Sequence, residues 1–304
     1  MTILVTGGAG FIGSNLLHTL VQEYDDIVCV DSLTYAGDRK NIPSSVTLYV
    51  TDISDTSTCD FIFKKHKPSI VFHLAAESHV DNSIKDCSQF IQTNIIGTVN
   101  LLNLSMKYEV DKFIHVSTDE VYGSIDQGSF TEDSLYDPRN PYSASKASSD
   151  HFVKAYHNTY DLPVVITNCS NNYGPRQNKE KLIPQTILNL MNGKTVPVYG
   201  EGKQIRDWLY VQDHCEALIR VMKDGKVGEK YNIGGREEIT NIDLVQKIIS
   251  IMGKNVSMIE FVEDRPGHDY RYSTDITKIQ NNLSWNPRFT LEESLIKTIE
   301  WYAY

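Results

Sequence analysis

The chain has 304 residues, of which 22% are charged and 40% fall in the hydrophobic class. That is a globular balance, with length for one large α/β core plus a smaller lobe. The formal net charge is −10 with no basic run, which argues against nucleic acid as a partner and leaves any anionic ligand to local Arg and Lys groups. No apolar stretch approaches the ~20 residues of a membrane span, and the N-terminus reads as a strand, not as a signal peptide. The five cysteines lack C-x-x-C spacing, and the nine histidines show neither H-x-x-x-H nor H-E-x-x-H. The expectation is a cytoplasmic protein with reduced, buried thiols, no membrane and no metal.

Residues Ile3-Leu4-Val5 run into Thr6-Gly7-Gly8-Ala9-Gly10-Phe11-Ile12-Gly13, and apolar residues at helical spacing follow. Strand, glycine turn and helix in this order let a backbone approach a pyrophosphate, with the helix N-terminus facing the anion. The next strand ends at Asp31, 18 residues after Gly13. An acid there binds the adenosine ribose diol and favours NAD over NADP; the competing reading is a solvated loop aspartate. After the third strand, Asp52 and Ile53 suit the adenine amino group and ring, though Asp52 reads equally as a helix N-cap. The fourth strand ends in Leu74-Ala75-Ala76-Glu77-Ser78, small residues where such sheets bind ligands.

Strand patterns fall at 2–6, 26–31, 46–50, 69–74, 112–117 and 163–168, and helical patterns at 12–23, 57–66, 88–108 and 142–160. Their alternation predicts an α/β fold, a Rossmann-type doubly wound parallel sheet. The NAD-binding domain is expected over 1–170. A smaller C-terminal lobe for the substrate follows over 171–304, with some segments returning to the first domain.

Two further segments carry chemistry. Thr118-Asp119-Glu120 places two carboxyls side by side after an apolar strand. Tyr142 and Lys146 stand at i, i+4 on one helix face. Free tyrosine has a pKa near 10. A cation ~4 Å away at an effective dielectric of ~20 contributes ~4 kcal/mol, so Lys146 with a charged nicotinamide is expected to bring Tyr142 toward neutrality. Adjacent carboxyls repel, which raises one pKa and splits their roles.

The Thr6–Gly13 turn with Tyr142-x-x-x-Lys146 resembles the extended short-chain dehydrogenase/reductases. Within that superfamily the chain is most similar to the dTDP-glucose 4,6-dehydratases. The segments 31–37, 74–81, 117–123, 142–150, 168–175, 180–184, 204–211 and 264–269 carry the likeness, which runs from residue 1 to about 302. Thr118-Asp119-Glu120 is its most discriminating part, because the epimerases lack the acid pair and the GDP-mannose dehydratases carry Ser before the Glu. The stretch from Gly123 to Tyr142 is short for the bacterial enzymes.

The resemblance implies a hydro-lyase that oxidises C4 of a nucleotide-linked glucose, eliminates water across C5 and C6, and returns hydride to C6. NAD would be tightly bound and regenerated each turnover, and the product would enter deoxysugar biosynthesis, such as that of rhamnose. It gives Tyr142 as the base for the 4-hydroxyl, with Lys146 and Thr118 in support, Glu120 as the C5 base and protonated Asp119 as the acid for the 6-hydroxyl. Cofactor contacts would come from Gly7, Gly10, Phe11, Ile12, Gly13, Asp31, Ser32, Leu33, Thr34, Asp52, Ile53, Leu74, Ala75, Ala76, Thr93, Tyr142, Lys146 and Asn172. Substrate contacts would come from Ser78, Thr118, Asn171, Lys181, Leu182, Pro197, Tyr199, Arg206, Asn241, Arg265 and His268. Arg206 and Asp207 read equally as a structural ion pair. The nucleotide is open between dTDP and UDP, whose bases differ by a methyl worth only ~1–3 kcal/mol in a pocket. A catalytically silent NAD-binding regulator is the alternative of another class. A homodimer is expected through helices 88–108 and 142–160, with Phe90, Ile91, Ile95, Val99 and Leu102 either on that face or covering the sheet.

Overall fold

The computed structural model describes residues 1–264 and 268–303. Seven parallel strands form its main sheet: β1 (Ile3–Thr6), β2 (Ile27–Asp31), β3 (Thr47–Val50), β4 (Ile70–His73), β5 (Lys112–Thr118), β6 (Val164–Cys169) and, from the C-terminal half, β10 (Lys230–Ile233). The spatial order is β3-β2-β1-β4-β5-β6-β10, with the order reversing between β1 and β4. In such sheets ligands bind at the carboxyl ends of the strands, beside that reversal. The strands expected from sequence match these to within a residue at each end.

Alternation along each strand sends side chains into two separate cores. Ile3, Val5, Ile27, Cys29, Ile70, Phe72, Ile114 and Val165 pack on one face, with the helices Phe11–Leu20 and Val211–Asp224. Leu4, Val28, Val30, Val71, Phe113, Val164 and Ile166 pack on the other, with the helices Thr56–His66, Thr98–Lys107 and Pro141–Tyr160. Both faces being covered explains why these strands read as continuous apolar runs. Each fully buried Leu, Ile, Val or Phe contributes about 1.5–3 kcal/mol.

The helix expected over 88–108 is not uniform. A short turn at Ser88–Phe90 leads into a π-helical stretch over Ile91–Gly97, and the α-helix proper is Thr98–Lys107. The irregularity serves Asn94, buried inside it, whose side chain accepts from the Glu77 N–H (2.9 Å) and donates to the Glu77 carbonyl (3.0 Å) and Ser145 Oγ (2.8 Å). It thereby ties the loop after β4 to the Pro141–Tyr160 helix.

Beyond β6 come β7 (Asn171–Tyr173), β8 (Val196–Tyr199), β9 (Ile205–Tyr210), β11 (Glu238–Thr240) and β12 (Ile259–Val262). Strands β11, β9 and β7 form one small sheet, and β8 pairs with β12 in another. Their core gathers Ile183, Ile187, Leu190, Val196, Val198, Trp208, Leu244 and Ile248 with Leu291 and Leu295 of the last helix. Among the described residues no helix is long and apolar enough to cross a membrane, and no cluster of His, Cys, Asp or Glu is suited to a metal.

Candidate active site

A cleft of about 640 Å³ opens over the carboxyl ends of β1, β4, β5 and β6 and is closed from the far side by the second lobe. At its floor, Gly7 adopts a left-handed φ of 72°, and a Cβ there would meet the Ala75 backbone at 2.6 Å. A Cβ on Gly13 would lie 2.1 Å from the Gly7 carbonyl oxygen. The Phe11–Leu20 helix begins without a side-chain cap, so its first N–H groups remain available to an anion. This backbone cradle fits a dinucleotide pyrophosphate.

Asp31 is not a solvated loop residue. It is buried, and its carboxylate accepts from the Ala9 N–H (2.8 Å) and the Leu33 N–H (2.8 Å) at the cleft edge. Leu33 itself does not line the cleft; with φ 51° it serves by holding Asp31. The open reading of Asp52 also resolves. The helix cap is Asp55, which accepts from the N–H groups of Ser57 and Thr58, while Asp52 holds Ser54 and faces the cleft. The other expected cofactor residues, Gly10, Phe11, Ile12, Ser32, Thr34, Ile53, Leu74, Ala75, Ala76, Thr93 and Asn172, line the same wall.

The acid pair sits where β5 stops and a 3₁₀ turn begins (Asp119–Tyr122). Thr118 caps that turn, accepting from the Glu120 N–H and donating to Asp119 Oδ1, both at 3.3 Å. Asp119 is 2% exposed. Burial, and after it the Glu120 and Asp207 carboxylates, push its pKa well above the ordinary value. Glu120 is more open and accepts a long 3.4 Å contact from Asn140 Nδ2. Asn140 also closes a capping box with Ser143 and, with Pro141, starts the Pro141–Tyr160 helix. That helix delivers Tyr142 and Lys146 to the cleft wall.

Tyr142 is the residue expected to approach neutrality beside Lys146 and a charged nicotinamide. Its phenol stands well above 10, raised first by burial and then by Glu120 and Cys169, with only a hydrogen bond from Thr118 opposing. The Lys146 ammonium, one helical turn away, donates to the Val116 carbonyl at 2.8 Å. Burial lowers the Lys146 pKa, and Asp150 one turn further along partly restores it. Asp150 is itself held by His115 (3.1 Å) and by the hydroxyl of Tyr136 (2.7 Å).

The second lobe supplies the opposite wall: Asn171, Lys181, Leu182, Pro197, Tyr199, Arg206, Asn241 and His268, facing Ser78. Arg206 lies flat over the Tyr272 ring (4.3 Å) and donates to the carbonyls of Ile205, Asp269 and Tyr270. Asp207 points to the other side of β9, where it accepts from the N–H groups of Gly235 and Glu237. Lys181 Nζ reaches the Ser78 carbonyl at 3.5 Å. His268 Nδ1 lies 2.7 Å from Asp264. The amide oxygens of Asn171 and Asn241 are buried with no hydrogen-bond partner among the described residues. Arg265 lies outside the described residues.

The sequence matches the family model for GDP-mannose 4,6 dehydratase over residues 4–298. It is 49% identical to dTDP-glucose 4,6-dehydratase 1 of Escherichia coli (strain K12), over 99% of this chain and 92% of the relative. A dTDP-glucose 4,6-dehydratase from Streptomyces venezuelae, solved with NAD and dTDP bound, superposes with a TM-score of 0.97 at 44% identity, covering 100% of this chain and 97% of the other. The chain belongs to the dTDP-glucose 4,6-dehydratase family. A UDP-glucose 4-epimerase from Thermotoga maritima reaches a TM-score of 0.96 at 32% identity, over 100% of this chain and 99% of the other. Backbone shape alone therefore does not separate dehydratase from epimerase.

For a dehydratase-family cleft, the sequence reading missed several lining groups: Tyr35, Glu77, His79, Cys169, Gln177, Glu180 and Trp208. Most flank motifs that were recognised, which was the available signal. Cys169 lies in the cleft, and burial holds its thiol up at about 12, which disfavours the reactive thiolate. Four of the five cysteines are buried as expected, and Cys87 is exposed.

Proposed function

We propose that the protein is an NAD-dependent hydro-lyase that converts dTDP-glucose to dTDP-4-keto-6-deoxyglucose. The observation that carries this is the contrast between its two neighbouring acids: Asp119 fully buried and pushed toward its protonated form, Glu120 beside it and open to the cleft. NAD, when bound, supplies a hydride acceptor for C4 and a donor for C6. Tyr142 takes the 4-hydroxyl proton, with Thr118 holding the hydroxyl. The phenol reaches a working pKa only once a cation stands near it, and Lys146 is the resident candidate, one helical turn away. Glu120 removes the proton at C5, which the adjacent ketone acidifies, and Asp119 protonates the departing 6-hydroxyl. Lys181, Arg206 and His268 hold the nucleotide diphosphate, with Asn171 on the substrate; Leu182, Pro197, Tyr199 and Asn241 surround the base and ribose.

Incubation with dTDP-glucose and with UDP-glucose tests this through the alkali-induced absorbance of a 4-keto-6-deoxy product. Turnover of the first is expected; absence of product from both would sink the reading. The protein should also purify with NAD bound, and a stoichiometric demand for added NAD⁺ would contradict the self-regenerating cycle.

The enzyme works as a cytoplasmic homodimer in this proposal. Buried free thiols suit a reducing compartment. Of the apolar residues expected on the dimer face, Phe90 and Leu102 are core residues, 2% and 0% exposed. Ile91 is exposed and Ile95 and Val99 are half-buried, and with Phe152 they form the face offered to a second copy. A monomeric mass at micromolar concentration rejects it.

A further inference from the structure

His214 lies on the Val211–Asp224 helix, 0% exposed, among the buried residues Val211, Cys215 and Leu218. A residue needed only for packing there would be apolar. Instead the ring places Nδ1 2.9 Å from Asn172 Oδ1. Asn172 belongs to β7, lines the cleft, and donates from Nδ2 to the Ser170 carbonyl at 2.9 Å. Its own backbone carbonyl accepts from Gln177 Nε2 at 2.8 Å.

These contacts fix one arrangement. The Ser170 carbonyl only accepts, so the amide must present its NH₂ there and turn Oδ1 toward the ring. The ring must then carry its proton on Nδ1. Nε2, which meets no hydrogen-bond partner among the described residues, is left as a lone pair; the other tautomer would bury an unpaired N–H. Burial alone pushes His214 down to about 3, so the group is a fixed neutral donor at working pH and carries no proton in the reaction.

We propose that His214 is a positioning residue. Its Nδ1–H locks the Asn172 side chain so that the NH₂ edge, not the carbonyl, is turned toward the Ser170–Cys169 side of the cleft. There it meets the nicotinamide end of the cofactor. A donor edge matches the acceptor oxygens of a nicotinamide carboxamide and ribose. A flipped amide would set oxygen against oxygen at Ser170 and present an acceptor in its place. The inference rests on the NAD-dependent reading above.

The test uses His214→Asn, whose amide nitrogen sits where Nδ1 does, and His214→Gln, whose amide lies one carbon further out. Both are polar and of similar size, and His214→Leu is added. The readout is the half-time for loss of bound NAD after gel filtration, with circular dichroism confirming the fold. His214→Asn should hold NAD within about twofold of the parent, and His214→Gln and His214→Leu should lose it about tenfold faster, the scale of one hydrogen bond. Asn172→Ala should match the Gln variant, and the double variant should be no worse than Asn172→Ala, because the two act as one unit. Should His214→Leu fail to fold, the Asn and Gln pair decides. Parental NAD retention in His214→Gln, or losses that add independently to those of Asn172→Ala, would overturn the proposal. Failure of the NAD-dependent reading would show in the parent alone, as protein without NAD and without turnover.

Discussion

The two walls of the cleft are built in different ways. On the sheet side, the proposed cofactor and catalytic residues stand at the ends of regular elements: Gly7 after β1, Asp31 ending β2, Thr118 ending β5 with the acid pair after it, Tyr142 and Lys146 in the first turns of one helix. The pairing of β5 with β6 sets Ser117 opposite Asn168 and Thr118 opposite Cys169, so hydrogen bonds within the sheet fix where the chemistry happens. On the lobe side, Arg206 lies in β9, Lys181 at the N-cap of the helix Leu182–Met191 and His268 in a loop. Contacts to residues far away in sequence hold them, such as Arg206 to Asp269 and Lys181 to Ser78. The proposed reaction groups thus sit on regular elements around the main sheet, and the proposed recognition groups are held by contacts between distant segments.

If the sheet side alone carries the chemistry, its disruption should abolish turnover. Tyr142→Phe should lower turnover by ~10²–10⁴-fold, with no reduced nicotinamide absorbance on mixing with substrate; appearance of that absorbance at the parental rate would break the assignment.

Asp119→Asn should cost at least ~10²-fold in turnover yet raise thermal stability at neutral pH. The sign follows from linkage. Asp119 has a raised pKa when folded, so between about pH 4, where the unfolded carboxyl titrates, and its folded pKa the native state binds more protons. Its presence therefore erodes stability as pH rises through that window. The melting-temperature gain of the variant should shrink to nothing below about pH 4, and a gain independent of pH would contradict a buried protonated carboxyl.

Gly13→Ala should destabilise by ~1–3 kcal/mol, the usual scale of overpacking, because its Cβ would meet backbone at 2.1 Å, and the purified protein should carry less NAD. Denaturant melts and nucleotide content check it. The smallest effect belongs to Asp55→Ala, which removes a helix cap away from the chemistry. It should cost ~1 kcal/mol and leave kcat within about twofold, as a denaturation midpoint and an activity assay would show.

The same division decided what could be read in the chain itself. Regular elements announce themselves through period and punctuation, so the strands, the glycine cradle, the acid pair and the Tyr–Lys pair were legible. The π-helical stretch was not, because Asn94 inside an otherwise helical pattern gives no sign that Glu77 and Ser145 will claim its side chain. The surroundings of Lys146 were hidden for a related reason. Spacing shows that Lys146 is one turn away, but not that the Val116 carbonyl binds its ammonium. Some C-terminal segments were expected to return to the first domain, but that β10 is the one and that β7 pairs with β9 depend on closure between residues distant in sequence, which local patterns do not encode.

The central claim is that adjacent Asp119 and Glu120 hold opposite roles. Solvent deuterium incorporation at C5 of dTDP-glucose, followed during a single turnover, tests it most directly. The account predicts that Glu120→Gln reduces its nicotinamide but exchanges C5 at least ~10²-fold more slowly than the parent, while Asp119→Asn still exchanges C5 and fails to lose the 6-hydroxyl. Exchange in Glu120→Gln at the parental rate would contradict it and remove Glu120 as the C5 base.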